Sequence, residues 1–202
     1  MRLTVITLTG LSLLLSASLT VAKEKEKNQH KQMDPQAMMD VYKKLATPGE
    51  PHKQLAGLVG TWTTKTKEWM EPNKPPTEST GSCEEKVVLD GRFLQQECTG
   101  EMMGQPFNGI GVIGYDNHKK KYVSTWTDSM STGIFVMEGT GSPDGKTVTL
   151  KGGHEDPIEG RMEHRAVWKF PDENTQIFEL YGAGKGKENM KMMEITYTRK
   201  QG

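Results

Sequence analysis

The hydrophobic and polar residues between Gly60 and Lys200 alternate with a period of two, which is typical of β-strands that bury one face. Turn signals, such as Asp90-Gly91, separate the alternating runs. The pattern predicts ten strands, over residues 60–70, 79–89, 92–101, 107–115, 120–128, 133–141, 147–153, 162–170, 175–182 and 190–199. Short strands with no interleaved helices predict an all-β sandwich or barrel, and consecutive hairpins favour an antiparallel up-and-down β-barrel, which has no exposed sheet edge.

A helical pattern precedes the strands. Asp34 is a suitable N-cap, and Pro35 fits the first helical position. Apolar residues then recur at helical spacing, so we predict one N-terminal helix over residues 34–46. A short second helical turn is expected before Gly60.

The chain divides into four predicted segments. Residues 1–22 read as a signal peptide, because Arg2 precedes a long uncharged apolar run, although a permanent membrane anchor is the alternative. Residues 23–33 are charged and amide-rich, which predicts a disordered tether. Residues 34–59 form the N-terminal helix and linker, and residues 60–200 form the β-barrel domain.

The overall charge excludes one class of partner. Lys and Arg together number 26, as do Asp and Glu, so the formal net charge is zero. This balance gives no basic surface for nucleic acid. The signal peptide predicts a periplasmic or secreted protein with no membrane attachment after cleavage, and the sequence gives no indication of its oligomeric state.

The two cysteines, Cys83 and Cys98, flank a predicted hairpin. A turn centred on Asp90-Gly91 places the two cysteines directly opposite each other. In an oxidising compartment this arrangement predicts a disulfide. A pair of free buried thiols is the alternative, and a slip of one residue in the register would separate them.

Strand alternation also predicts which side chains face the interior. On the first strand Lys65 and Lys67 face solvent, so the other face points inward. The same reasoning on the fifth and eighth strands completes the set of candidate ligand-binding residues: Trp62, Thr64, Thr66, Glu68, Tyr122, Ser124, Trp126, Asp128, His164 and Trp168. Burying such polar groups without partners costs roughly 2–7 kcal/mol each. They therefore either bond to one another or line a cavity that holds a ligand, and the sequence leaves both alternatives open.

Histidines and acids are the candidate catalytic or metal-binding groups. His164 is the only histidine predicted to face inward; a haem ligand and a general base are possible roles, and a hydrogen-bonded core histidine is the favoured one. His154, with Glu155 and Asp156, is predicted to lie in a solvated loop before Pro157, and a metal site there is the alternative. Glu68, Asp128 and Glu138 could bring two carboxylates together for acid–base chemistry, although Glu138 could equally face solvent.

No motif indicates a particular cofactor. The 13 methionines include the segment MKMM at residues 190–193, which invites a copper(I) interpretation, but no histidine or cysteine accompanies it. Methionine more often fills apolar interiors. Nucleophile elbows, phosphate loops and dinucleotide fingerprints are absent, and the glycines of residues 109–114 indicate a bent strand. We predict no metal or cofactor, with haem and copper as the alternatives considered.

The motif Gly60-Thr61-Trp62 resembles the G-x-W signature of lipocalins and the wider calycin superfamily. In those barrels the tryptophan plugs one end, and a basic residue near the end of the last strand packs across its ring. The resemblance assigns this second role to Arg199, with Lys200 as the alternative. It implies structural roles for Gly60 and Arg199.

Longer motifs are similar to a bacterial family of secreted proteins that is known only as a domain of unknown function. They cover nearly the whole chain after the signal peptide and include LVGTW at residues 58–62, GRFLQ at 91–95, KYVSTW at 121–126 and MEITY at 193–197. The resemblance implies the barrel and no established activity. Haem-binding nitrobindin-like barrels are the nearest characterised analogy, but only His164 is a candidate for their axial histidine.

These features predict a protein that binds a small amphiphilic or hydrophobic ligand inside the barrel without catalysis. The first alternative is an enzyme that uses the inward acids and His164 on a small molecule. The second is a structural or interaction module with a filled barrel. A cavity separates the first two hypotheses from the third.

Overall fold

The computed structural model describes residues 34–102, 104–182 and 190–201. The predicted signal peptide and tether lie outside the described residues. The chain divides into two compact units, Met1–Lys43 and Lys44–Gly202, and the second contains the whole barrel.

The predicted N-terminal helix is present as α1 (Pro35–Ala46). Its N-cap is Asp34, whose Oδ2 accepts a hydrogen bond from the Ala37 amide at 3.3 Å. Among the described residues, no helix is both long and apolar enough to cross a bilayer.

The predicted second helical turn is a short helix, α2 (Glu50–Ala56). His52 Nδ1 accepts a hydrogen bond from the Gly49 amide at 2.9 Å, which satisfies one of the free amides at the helix start. His52 and Leu55 are buried. The apolar side of α2 is therefore part of the core of the second unit.

The ten predicted strands are all present and form one closed antiparallel barrel. Each strand pairs with its neighbours in sequence, and β1 pairs with β10 to close the sheet. The strands are β1 (Gly60–Glu68), β2 (Thr77–Val88), β3 (Phe93–Met102), β4 (Gln105–Asp116), β5 (Lys121–Asp128), β6 (Phe135–Gly141), β7 (Thr147–Asp156), β8 (Gly160–Asp172), β9 (Thr175–Tyr181) and β10 (Lys191–Arg199). The predicted barrel is thus confirmed.

The hairpin of β2 and β3 has the predicted register and a longer turn. Val88 pairs with Phe93, so four residues form the turn instead of two. Leu89, Asp90 and Gly91 all have positive φ, at 51°, 56° and 80°. Cys83 faces Cys98 and forms a disulfide with it, with Cα atoms 4.0 Å apart. The predicted disulfide is confirmed and the free-thiol alternative is wrong.

Helix α2 closes one end of the barrel. Leu55 and Leu58 belong to a buried cluster that also contains Leu94, Val148 and Trp168. Since β1 starts directly after this helix and neighbouring strands are antiparallel, the odd-numbered strands run from the closed end toward the opposite rim.

Candidate functional site

A cavity of about 590 Å³ occupies the barrel between the plugged end and the opposite rim. All ten strands contribute side chains to its wall. The wall is mainly apolar, with Trp126, Phe135 and Trp168 among its aromatic residues. Its size falls within the range of about 300–1,000 Å³ that is usual for small-molecule sites. The barrel interior is therefore not filled by side chains.

Most of the predicted inward residues line this cavity. Those that do are Thr64, Thr66, Glu68, Ser124, Trp126, Asp128, His164 and Trp168. Trp62 and Tyr122 face inward and lie outside the cavity lining, because they sit in the packed part of the barrel. The parity predicted for β1, β5 and β8 is thus right, and the inclusion of Trp62 and Tyr122 in the cavity wall is wrong.

Trp62 packs near the closed end of the cavity. Its side chain is 0% exposed, and its Nε1 donates a hydrogen bond to the Leu58 carbonyl at 3.0 Å. The Arg199 guanidinium lies over its ring at 4.1 Å from the centroid, as the G-x-W resemblance implied. The disulfide of Cys83 and Cys98 packs in the same buried cluster and lines the cavity.

Tyr122 instead joins the barrel to helix α2. Its hydroxyl donates a hydrogen bond to Gln54 Oε1 at 2.8 Å. Gln54 Nε2 in turn donates to the carbonyl of Gly145, in the turn between β6 and β7. Tyr122 therefore holds helix α2 against the closed end of the barrel.

Two histidines stand side by side in the cavity wall. The rings of His154 and His164 are stacked, with centroids 5.2 Å apart and an interplanar angle of 9°. Phe135 contacts the His164 ring edge-on at 5.5 Å. The prediction that His154 lies in a loop is wrong, because β7 extends to Asp156 and brings His154 beside His164.

His164 is buried without a partner for one of its nitrogens. Its side chain is 8% exposed, and Nδ1 has no hydrogen-bond partner among the described residues. Burial lowers the pKa of His164, and the neighbouring His154 lowers it further, so the ring is held neutral. No hydrogen bond of the described residues joins His164 to Glu68 or Asp128. His164 therefore lacks the carboxylate partner that an acid–base pair requires.

Trp168 carries a second unpartnered nitrogen. It is 4% exposed, lines the cavity, and its Nε1 has no hydrogen-bond partner among the described residues. Since the indole nitrogen can only donate, a molecule that satisfies it must offer an acceptor. Such an unmet donor in a cavity wall is a natural contact for a bound molecule.

Trp126 is held flat against strand β4 near the rim. Its Nε1 donates to Asp128 Oδ2 at 2.9 Å. Gly109 and Gly111 make room for its ring, because a Cβ at either position would approach it to within 2.3 or 2.9 Å. These glycines lie in β4, which confirms that they mark a strand. Phe107 stacks on Trp126 with centroids 6.5 Å apart.

Of the three acids considered for acid–base chemistry, two line the cavity and one does not. Glu68 and Asp128 are in the wall. Glu138 lies on the outer face, where Lys121 Nζ approaches its carboxylate to 2.6 Å. The solvent-facing alternative for Glu138 is therefore correct.

A buried polar cluster at the closed end was missed by the sequence analysis. Glu85 is 1% exposed and accepts hydrogen bonds from Gln96 at 2.7 Å and Gln176 at 3.1 Å. Burial raises the pKa of Glu85 to about 7, while the two amides and Arg199 act in the opposite direction. Since Gln96 also lines the cavity, this carboxyl lies one side chain away from the cavity wall.

The described residues bring no three His, Cys, Asp or Glu side chains together in a way that could hold a metal ion. Met102, Met137 and Met193 line the cavity as part of its apolar wall. The arrangement can therefore enclose an apolar molecule and offer it a few polar contacts.

One solved structure agrees with the fold. The crystal structure of Rv2717c from M. tuberculosis superimposes with a TM-score of 0.57 at 15% identity, covering 77% of this chain and 100% of that chain. A redesigned β-barrel gives a TM-score of 0.41 at 13% identity, covering 73% of this chain and 96% of that chain. No curated protein matches the sequence significantly. Residues 47–199 match the family described as "Protein of unknown function (DUF1579)", and the chain therefore belongs to this family.

Proposed function

We propose that this protein binds a small amphiphilic molecule inside the barrel and does not transform it. The observation that carries the proposal is the cavity of about 590 Å³, whose mainly apolar wall contains two buried, unpartnered nitrogens, His164 Nδ1 and Trp168 Nε1. An apolar body would fill the aromatic part of the cavity. A hydroxyl or carbonyl oxygen would accept the hydrogen bond that Trp168 can donate.

The alternatives have less support. An enzyme would need a base or nucleophile aligned with a partner, and His164 is bonded to neither cavity acid among the described residues. A filled structural barrel is disfavoured by the cavity itself. Binding requires only the space and the polar groups that the wall provides.

The test uses Nile red, a neutral apolar dye whose emission rises and shifts to the blue in apolar sites. We expect the purified protein to bind it at micromolar concentration. Thr66→Trp places an indole in the cavity and should weaken binding at least about tenfold, which corresponds to ~1.4 kcal/mol. Thr63→Trp is the matched control, since Thr63 is exposed on the opposite face of the same strand, and it should change the affinity by less than about twofold.

Native mass spectrometry of protein purified from its own host provides the second arm. A retained molecule of defined mass would support the proposal, and its loss in Thr66→Trp would place it in the barrel. Absence of both a retained molecule and Nile red binding would overturn the proposed function.

We further propose that the protein is exported to an oxidising compartment. The Cys83–Cys98 disulfide supports this location, because such bonds persist where thiols are not kept reduced. We expect exported protein to begin at Lys23 and to contain no alkylatable thiol. An intact N-terminus with two free thiols in the cytosolic fraction would contradict the proposal.

A further inference from the structure

Two buried nitrogens without partners lie on the same strand of the cavity wall. His164 and Trp168 are four residues apart on β8, so both side chains are on its inward face. They are 8% and 4% exposed, and His164 Nδ1 and Trp168 Nε1 have no hydrogen-bond partner among the described residues. At about 3.3 Å per strand residue, their backbone positions are ~13 Å apart. The wall therefore has two separate polar points along one strand.

The wall between these two points is apolar. Ala166 is the inward residue between them, and it pairs with Leu150 on β7 and with Leu180 on β9. Both leucines line the cavity. A molecule that lies along β8 would thus meet a nitrogen, an apolar stretch and a second nitrogen in succession.

The two nitrogens have opposite hydrogen-bonding roles. The indole Nε1 of Trp168 can only donate. Burial lowers the pKa of His164, so its neutral ring has one donor and one acceptor nitrogen. A hydrogen bond with the Gly182 backbone favours a proton on the ring, and because Nδ1 is unpartnered, Nε2 is the donor in this bond. His164 Nδ1 is then an acceptor, which calls for a donor on the ligand.

Ring contacts hold both groups in place. The His164 ring stacks on His154 with centroids 5.2 Å apart, and Phe135 meets it edge-on at 5.5 Å. Trp168 packs against Phe170 with centroids 5.1 Å apart. Because these contacts restrict the rotation of both rings, the two nitrogens are preorganised for a bound molecule.

The surroundings favour an uncharged molecule over an anion. Trp168 Nε1 could also donate to a carboxylate, but no lysine or arginine lines the cavity among the described residues. Glu68 and Asp128 are acids at inward positions of the same wall, and a buried anion without a countercharge is costly. The acceptor that Trp168 requires is therefore a neutral oxygen.

We propose that the ligand is an uncharged, two-ended amphiphile: an apolar chain with a neutral oxygen that accepts from Trp168 and a hydroxyl that donates to His164. Strand β8 runs from the rim toward the closed end, so the contact with Trp168 is the deeper one. This inference rests on the proposed function and adds the charge of the ligand and the polarity and spacing of its polar groups.

The experiment uses ligands that share one ten-carbon chain and differ only at their ends. They are the diol with a hydroxyl at each end, its monomethyl ether, its dimethyl ether, and the hydroxy acid with a carboxylate at one end. Each is titrated at neutral pH by displacement of Nile red and by calorimetry. We expect the diol and the monomethyl ether to bind within about threefold of each other, and the dimethyl ether and the hydroxy acid at least about tenfold more weakly. Since the dimethyl ether is the most apolar of the four, a purely hydrophobic site would bind it best.

Two variants test the two contacts separately. His164→Phe keeps an aromatic ring and removes the acceptor, so it should abolish the advantage of the monomethyl over the dimethyl ether and change the affinity for the dimethyl ether by less than about threefold. Trp168→Phe removes the donor and should weaken both ethers about fivefold. The matched control is His154→Phe, because His154 lines the same wall but is exposed, and it should keep the advantage. Nile red binding by each variant shows that its barrel is folded.

The outcomes separate the two proposals. Equal affinities for the four ligands, or tightest binding of the dimethyl ether or the hydroxy acid, would overturn the uncharged, two-ended ligand and leave the binding function standing. An unchanged preference in His164→Phe, or unchanged affinities in Trp168→Phe, would also overturn it. Failure of all four ligands and of Nile red to bind would overturn the binding function itself.

Discussion

The guanidinium of Arg199 lies 4.1 Å above the ring of Trp62 and joins the two ends of the barrel sheet. It also donates hydrogen bonds to the carbonyls of Val59 at 2.6 Å, Gly57 at 2.9 Å and Glu173 at 2.9 Å. One side chain thus fixes the exit of helix α2, the turn between β8 and β9, and the closed end of the cavity.

Replacing the Arg199 side chain should destabilise the folded protein even when the positive charge is kept. Arg199→Lys removes the planar fork, so that one ammonium must replace three separately directed N–H groups. We expect the free energy of unfolding to fall by about 2 kcal/mol, from the lost charge-assisted bonds and part of the cation–π contact. Urea denaturation of the variant and the parent protein measures this difference.

Arg165→Lys is the matched control for this prediction. The guanidinium of Arg165 also lies 4.1 Å from an aromatic centroid, that of Tyr181. Unlike Arg199, it donates no hydrogen bond to a backbone carbonyl of the described residues. Its replacement should cost less than about 1 kcal/mol. Equal losses for the two variants would show that the backbone bonds of Arg199 contribute little.

The fold could be predicted because strand alternation and turn residues act locally. Inward and outward faces follow from the pleat, and the Asp90-Gly91 turn sets the register that joins Cys83 to Cys98. Strand β7 extends three residues beyond its predicted end at residue 153, because the residues before Pro157 were expected to form a loop. A Cβ at Gly152 or Gly153 would lie 2.1 or 2.4 Å from carbonyls of the neighbouring strands. They are glycines because the strands approach closely, and β7 continues to His154.

The depth of each side chain in the barrel could not be predicted. Tyr122 and Trp126 lie on the same face of β5, yet Tyr122 binds helix α2 through Gln54 and Trp126 lines the cavity. Alternation assigns the face of a residue and not its distance from α2. Glu85 was missed for another reason, since acids occur on both faces of β2 and no hydrophobic pattern marks the inward one.

Gly60 should be intolerant of a side chain for two separable reasons. Its φ is +147°, and a Cβ would lie 2.6 Å from Arg199 Nη1. Gly60→Ala should therefore strain the backbone and displace Arg199, lowering the free energy of unfolding by about 3 kcal/mol.

The control for Gly60→Ala is Gly91→Ala, which has φ +80° and no atom within 4 Å of its Cβ position. Gly91→Ala introduces backbone strain alone and should lower the free energy of unfolding by about 1 kcal/mol. In an Arg199→Lys background the extra cost of Gly60→Ala should shrink, because the displaced contact is already lost. Full additivity of the two substitutions would contradict the clash as the cause.

The disulfide should stabilise the barrel by restricting the unfolded chain. Cys83 and Cys98 are separated by 15 residues, and closing a loop of this length contributes about 3 kcal/mol in the chain-entropy model. We expect Cys83→Ala/Cys98→Ala to lose about this amount in urea denaturation. Dithiothreitol should lower the midpoint of the parent protein and leave that of the double variant unchanged; a shift in both would indicate an effect unrelated to this bond.

The buried carboxyl of Glu85 should make the protein less stable as the pH rises. Its pKa of about 7 in the folded state is above the ordinary value of 4.5, so the folded state binds more protons between these two values. The free energy of unfolding contributed by this group is therefore highest below about pH 4.5 and falls as the pH rises to 7. A shift of this size corresponds to about 3 kcal/mol.

Glu85→Gln tests this dependence, because glutamine cannot ionise. Gln176 Oε1 has no hydrogen-bond partner among the described residues, and rotating that amide lets it accept a bond from the new glutamine. We expect the variant to exceed the parent in free energy of unfolding by about 1–3 kcal/mol at pH 8, and by much less at pH 5. Taking the difference between variant and parent at each pH cancels the titration of His164, whose lowered pKa acts in the opposite direction. Glu84→Gln, on the exposed face of the same strand, is the control and should show no such pH-dependent difference. If the free energy of unfolding of Glu85→Gln equals that of the parent at both pH values, Glu85 does not titrate in this range.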